Sequence, residues 1–166
     1  GAGGAARAVI YSLLLEGAPK AYVANRTTEK AQGLAEFFGE NVAAIPMSDV
    51  EAVLGETQTL VNTTSLGMTG QPDLDIDISN LPKTALVTDI VYNPLKTELL
   101  KQAEELGLKT VDGLGMLLHQ AVPGFEAWSG ARPTVDAALR QIVLPKPHAR
   151  RCRSASRTWM RLARPS

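Results

Sequence analysis

The chain has 166 residues, with 17 Lys+Arg balanced by 17 Asp+Glu, and is 45% hydrophobic and 20% charged. That composition is globular, offers room for one ordinary domain and excludes intrinsic disorder as the general state. No apolar run approaches the roughly 18–20 residues of a membrane-spanning helix, so no membrane partner is expected. Cys152 is the single cysteine; it excludes an internal disulfide framework and a multi-cysteine zinc site, and makes the reducing cytoplasm the expected setting.

The neutral total hides a split. Residues 145–166 hold Lys146, Arg150, Arg151, Arg153, Arg157, Arg161 and Arg164 with no acid. The other 10 basic residues stand against all 17 acids, so residues 1–144 carry a net charge of −7. The chain opens inside a glycine-rich turn, without Met and without a strand before it, and is expected to be a fragment.

Short apolar runs alternate with longer helical ones, which predicts an α/β fold: a Rossmann-like parallel sheet with flanking helices. After the Gly1–Gly4 turn, Val9, Ile10, Leu13 and Leu14 recur at helical spacing, and Gly17 stops the helix. Ala21–Asn25 reads as a strand. Thr27 or Thr28 can cap a second helix with a buried stripe of Ala31, Leu34, Ala35 and Phe38, ended at Gly39. Val42–Ile45 is the next strand, and Ser48-Asp49-Val50-Glu51 fits a capping box that would open a short helix. Thr59–Asn62 is a third strand, running into the polar stretch Thr63–Gly70. Gln71–Thr84, with Pro72 and Pro82, reads as loop with at most one helical turn. Leu86–Ile90 is a buried strand, Thr97–Leu106 an amphipathic helix ended by Gly107, and Lys109–Val111 the last strand. Gly115–Trp128 and Thr134–Leu144 read as two closing helices, broken at Gly130–Pro133. The division predicted is a nucleotide-binding domain over 1–130, a closing helix over 131–144 and a basic, disordered tail over 145–166.

Gly1-Ala2-Gly3-Gly4-Ala5-Ala6 matches G-x-G-x-x-A. The first glycine permits a tight turn, the second lets backbone approach a pyrophosphate, and the small sixth residue lets helix and sheet pack closely. The helix N-terminus then presents free N–H groups to the phosphates. Alone the motif is weak, since glycine turns also serve packing. At the end of the second strand an NAD-binding unit carries Asp or Glu for the ribose 2′-hydroxyl. Here Asn25-Arg26-Thr27 stands there, with Lys30 one turn on. A carboxylate would repel a 2′-phosphate, whereas Arg26 and Lys30 would pair with it and Thr27 could donate to it. The expected cofactor is NADP.

Five motifs occur in order: Gly1-Ala2-Gly3-Gly4-Ala5, Asn25-Arg26-Thr27, Asn62-Thr63-Thr64-Ser65-Leu66-Gly67-Met68, Asp89-Ile90-Val91-Tyr92-Asn93-Pro94, and Asp112-Gly113-Leu114-Gly115-Met116-Leu117. Together they resemble the C-terminal, NADP-binding half of the shikimate dehydrogenase family, over residues 1–144. The resemblance implies an oxidoreductase of aromatic amino-acid and chorismate biosynthesis, reducing 3-dehydroshikimate to shikimate with NADPH. It implies that Gly1–Ala5 hold the pyrophosphate and Asn25–Lys30 the 2′-phosphate. Lys30 stands where the family often has Arg, so that contact would be less bidentate. Ile90 and the backbone of Gly113 would lie against the nicotinamide, and Tyr92 and Gln120 would reach the substrate. The family's proton-transferring Lys and Asp belong to an N-terminal catalytic domain, so no catalytic residue is assigned here. The family's first strand, which would precede Gly1, is missing from the chain, and its neighbours are expected to face a gap.

Blander readings stand beside these. Tyr92 could simply pack the turn before Asn93-Pro94, and Gln120 could be an exposed polar residue. Thr64 and Ser65 either line the cofactor pocket or hold a tight turn. Met116 and Leu117 are expected in the core, and His119 is read as a surface or packing histidine, with no metal partner at ligand spacing. A quinate/shikimate dehydrogenase paralogue, or a non-catalytic nucleotide-binding module whose tail binds nucleic acid, are the rivals; neither nucleic-acid binding nor a metal is expected, and a homodimer is left open.

Overall fold

The computed structural model describes residues 1–144. Along them run α1 (Gly4–Leu15), β1 (Ala21–Ala24), α2 (Thr28–Phe38), β2 (Val42–Ile45), α3 (Val50–Val53), β3 (Thr59–Asn62), β4 (Leu86–Asp89), α4 (Glu98–Glu105), β5 (Lys109–Val111), α5 (Gly113–Ser129) and α6 (Ala137–Val143). All strand pairing is parallel: Ala21 opposite Val42, Thr59 opposite Leu86, and Leu86 opposite Lys109 open the three ladders. This is the expected α/β architecture, with one refinement. The strands form two sheets, β1-β2 and β3-β4-β5, rather than a continuous one. Gly1 lies between their inner edges. Its ammonium donates to the Ala24 carbonyl (2.8 Å), and its own carbonyl accepts from Thr63 Oγ1 (3.3 Å).

Each half has its own core. Ala6 and Ile10 of α1 meet Val23, Ala31, Leu34 and Val42. Leu54, Val87, Leu99, Leu100 and Ala103 pack on the other sheet. Burying a leucine of this kind is worth about 1.5–3 kcal/mol, so these stripes carry the helices. The stripe expected on α2 is present, with Ala31 and Leu34 buried, and Gly39 ends the helix at φ +79°. Gly107, at φ +73°, turns the chain from α4 into β5. Only glycine adopts such angles cheaply.

Three local expectations change. The capping box does not close: Ser48 Oγ donates to Asp49 (2.8 Å), and Glu51 Oε1 instead accepts from the Asp77 N–H (3.2 Å). α5 begins two residues early because Asp112 accepts from the Leu114 N–H (3.0 Å), and α6 begins three residues late because Asp136 caps it through the Leu139 N–H (2.8 Å). Gln71–Thr84 contains no helix, yet it is not a surface loop throughout, since Ile78 and Leu81 drop into the core. The basic segment 145–166, with Cys152, lies outside the described residues.

Candidate functional site

Parallel pairing sends the carboxyl ends of neighbouring strands to one edge of each sheet, where α/β folds place their ligands. The candidate residues follow these ends: Asn25–Thr27 after β1, Thr63–Ser65 after β3, Ile90–Tyr92 after β4, and Asp112–Gly113 after β5.

The glycine loop is built by two different demands. At Gly1 there is no space for a side chain, because a Cβ would stand 2.7 Å from the Thr63 carbonyl oxygen. At Gly3 and Gly4 a Cβ would meet nothing within 4 Å. Gly3 is the N-cap of α1 and offers no side chain to its first N–H groups. Those donors have no side-chain cap, which suits an anion with several oxygens. Ala2 and Ala5 are half-buried beneath this turn.

Beside it, Asn25 Nδ2 donates to the Thr27 carbonyl (2.8 Å) and curls the chain into α2. Thr27 is the N-cap of α2, but its hydroxyl does not cap the helix. Arg26, Thr27 and Lys30 are exposed. The ion pairs among the described residues are Lys96–Glu104, Lys101–Glu98, Arg132–Glu126 and Arg140–Asp112. Arg26 and Lys30 therefore remain uncompensated cations there.

Thr64 and Ser65 separate into different roles. Thr64 Oγ1 donates to Asn62 Oδ1 (2.7 Å) and accepts from the Leu66 N–H (3.0 Å), so it builds the turn. Ser65 is exposed. Gly113 is pressed against the chain after β4: a Cβ there would lie 2.2 Å from the Ile90 carbonyl oxygen and 2.6 Å from that of Val91. Ile90 is half-buried and Tyr92 exposed. Gln120 is seven residues into α5, exposed, and shares the helical face of Gly113 and Met116. His119 is exposed, and no cluster of metal-binding side chains occurs among the described residues. Met116 was expected in the core but is 36% exposed, because α5 turns Gly113, Leu114 and Val122 inward and leaves Met116 outside that buried set.

One arrangement was not anticipated. Asp89, 1% exposed, accepts from Thr97 Oγ1 (2.8 Å), the Val91 N–H (2.9 Å) and Asn62 Nδ2 (3.1 Å to both oxygens). The sequence signal was an acid at the end of the short strand Leu86-Val87-Thr88-Asp89.

These features define the class: a Rossmann-like α/β unit with a glycine loop opening its first helix and cations after its second element. The sequence pattern described as "Shikimate / quinate 5-dehydrogenase" matches residues 1–114, and that of the "Shikimate 5'-dehydrogenase C-terminal domain" matches 113–142. The chain belongs to the shikimate/quinate 5-dehydrogenase family. It is 58% identical over 143 residues to shikimate dehydrogenase (NADP(+)) of Rhodopseudomonas palustris strain HaA2, covering 86% of this chain and 51% of that protein. It thus spans about half the length of the curated relatives it matches. Quinate dehydrogenase from Corynebacterium glutamicum, solved in complex with NAD, superposes with a TM-score of 0.76 at 39% identity, over 85% of this chain and 51% of that one. Shikimate 5-dehydrogenase from Thermus thermophilus, solved with NADP(H) and shikimate, gives 0.68 at 36% identity, over 81% and 49%. No helix among the described residues is long and apolar enough to cross a membrane.

Proposed function

We propose that this chain is the NADP-binding portion of a shikimate dehydrogenase, which reduces 3-dehydroshikimate to shikimate in aromatic amino-acid biosynthesis. The observation that carries this reading is the pairing of an open glycine cradle with uncompensated cations. Gly3 and Gly4 leave room for a pyrophosphate at the start of α1, and Arg26 and Lys30 stand at the start of α2 without acidic partners among the described residues. Bound NADPH would supply the hydride. In this reading Gly1–Ala5 hold the pyrophosphate, and Asn25, Arg26, Thr27 and Lys30 the 2′-phosphate. Ser65, Ile90 and the Gly113 backbone form the nicotinamide wall, with Thr64 shaping it from behind. Tyr92 and Gln120, whose polar groups make no hydrogen bond among the described residues, offer a phenol and an amide to a polyol acid. The catalytic domain of the family would close the other side of the cleft. The single cysteine supports a cytoplasmic setting for this chemistry.

A quinate/shikimate paralogue using NAD is the second reading, favoured by the likeness to the quinate dehydrogenase solved with NAD. Arg26 argues against it, since NAD offers that guanidinium no phosphate. Calorimetric titration of the chain with NADP and NAD decides between them. Tighter binding of NADP is expected; equal or tighter binding of NAD would overturn the assignment of the 2′-phosphate site.

A further inference from the structure

Asp89 has a carboxyl group sealed from solvent, with no ion-pair partner among the described residues. Its two oxygens are taken up by hydrogen bonds from Thr97 Oγ1, the Val91 N–H and Asn62 Nδ2. Leaving a buried polar oxygen without a partner is costly, so these donors and the carboxyl group hold one another in place. The donors come from different segments. Val91 lies near the start of the loop after β4, and Thr97 closes that loop at the start of α4. Thr97 is the N-cap of α4, yet its hydroxyl does not cap the helix and goes to Asp89 instead.

Asn62 carries the connection across to the next strand. Its Nδ2 also donates to the Leu66 carbonyl (3.1 Å), while its Oδ1 accepts from the N–H (3.0 Å) and hydroxyl (2.7 Å) of Thr64. A continuous chain of bonds therefore runs Thr97–Asp89–Asn62–Thr64–Leu66. Farther out, the Thr69 N–H donates to the Asn93 carbonyl (2.9 Å), so the same two loops meet twice. Asn62, Asp89 and Thr97 are each at least 97% buried, and a network of this kind is stiff when all its members are satisfied.

We propose that Asp89 is a positioning residue that locks the loop bearing Thr64 and Ser65 to the loop bearing Ile90 and Tyr92, making the nicotinamide and substrate walls one rigid body. The proposal rests on the NADP reading above. Its reach is specific: the lock governs the nicotinamide end of the cleft and leaves the adenosine end, after β1, untouched.

The test uses the 166-residue chain and removes the lock at Thr97, which is assigned no contact with cofactor or substrate. Thr97→Val keeps the shape and deletes the hydroxyl, and Thr97→Ser restores it. Binding of 2′,5′-ADP reads the adenosine end; NADPH affinity and nicotinamide fluorescence read the other. Thr97→Val should weaken NADPH roughly five- to tenfold and return its fluorescence toward that of free cofactor, with 2′,5′-ADP affinity unchanged within about twofold. Thr97→Ser should recover both signals. Without ligand, Thr97→Val should also speed amide exchange across residues 63–66, to which the Thr97 hydroxyl is linked through Asp89 and Asn62, while the Thr97 methyl beside Gly67 is retained.

Unchanged NADPH binding and fluorescence in Thr97→Val would overturn the lock and leave the cofactor reading standing. Equal losses of NADPH and 2′,5′-ADP would overturn it too, because the carboxylate would then support only the fold. Faster exchange confined to residues 90–97 would show that the loops are not joined. Failure of the unaltered chain to bind either nucleotide would overturn the cofactor reading first, and this proposal with it.

Discussion

In the proposed reading, Arg26 is the side chain that selects between two cofactors differing by one phosphate. A charge-assisted hydrogen bond contributes roughly 1.5–3 kcal/mol, and Arg26 is exposed, so screening keeps it near the lower figure. Arg26→Ala should therefore weaken NADP by about tenfold while NAD changes less than about twofold; equal losses in a titration would remove the 2′-phosphate from this position. The two kinds of glycine make an equally sharp contrast. Gly113→Ala forces a Cβ to within 2.2 Å of backbone, where no side chain can swing away. It should cost about 1–3 kcal/mol, the usual penalty of overpacking, and lower the thermal midpoint by several degrees. Gly3→Ala meets nothing within 4 Å and has an ordinary φ of −96°. Its midpoint should hold, while the new methyl intrudes on the pyrophosphate and NADP affinity falls. If Gly3→Ala binds NADP normally, the cradle is not where the phosphates sit.

Elements were legible wherever local pattern and packing agreed. β2, β3 and β5 have the bounds the sequence predicts, and the 3.6-residue period shows in α2, where Ala31 and Leu34 are buried and Ala35 and Phe38 half-buried, and in α4, where Leu99, Leu100 and Ala103 are buried. Tertiary competition defeats the same reading elsewhere: Glu51 leaves its capping box for the Asp77 N–H, and Ile78 and Leu81 reach the core without any periodicity to announce them. At the site, the glycine loop and the cations were legible because each is contiguous in sequence. The Asp89 network was not, since Asn62 and Asp89 are 27 residues apart and become neighbours only through β3–β4 pairing. The closing helix shows the same limit. α6 has no buried residue, so apolar packing cannot hold it firmly. Arg140 fastens it instead to Asp112, whose side chain also caps α5. The pair is partly exposed, 35% and 21%, so its worth is discounted to about 1 kcal/mol. Arg140→Ala should accordingly release α6, with faster amide exchange over residues 137–143 and little change in β3–β5. Asp112→Ala loses the cap as well and should cost about twice as much. Unaltered exchange in α6 after Arg140→Ala would assign its attachment to other contacts.

At the scale of the whole molecule, the two sheets meet at Gly1 rather than along a shared ladder, and the groups proposed to hold the substrate, Tyr92 and Gln120, are exposed. Hydride transfer between an alcohol carbon and a nicotinamide needs a base or acid for the hydroxyl proton and a substrate held at near-attack distance. Tyr92 and Gln120 can hydrogen-bond a polyol acid, but neither is bonded to a charged partner among the described residues, and no lysine–carboxylate pair is assigned to this half. The resemblance puts that pair in the family's N-terminal catalytic domain, and this chain spans about half of its relatives' length. The 166-residue chain should consequently bind NADP yet produce no measurable NADPH when shikimate is added. In a protein that joins this chain to the family's catalytic domain, turnover should return. There, Gln120→Ala should raise the KM for shikimate far more than that for NADP, because Gln120 lies along α5 beyond the Gly113 wall. Sustained NADPH production by the 166-residue chain alone would place the proton-transferring group among its own residues, and the division of labour argued here would have to be redrawn around Tyr92.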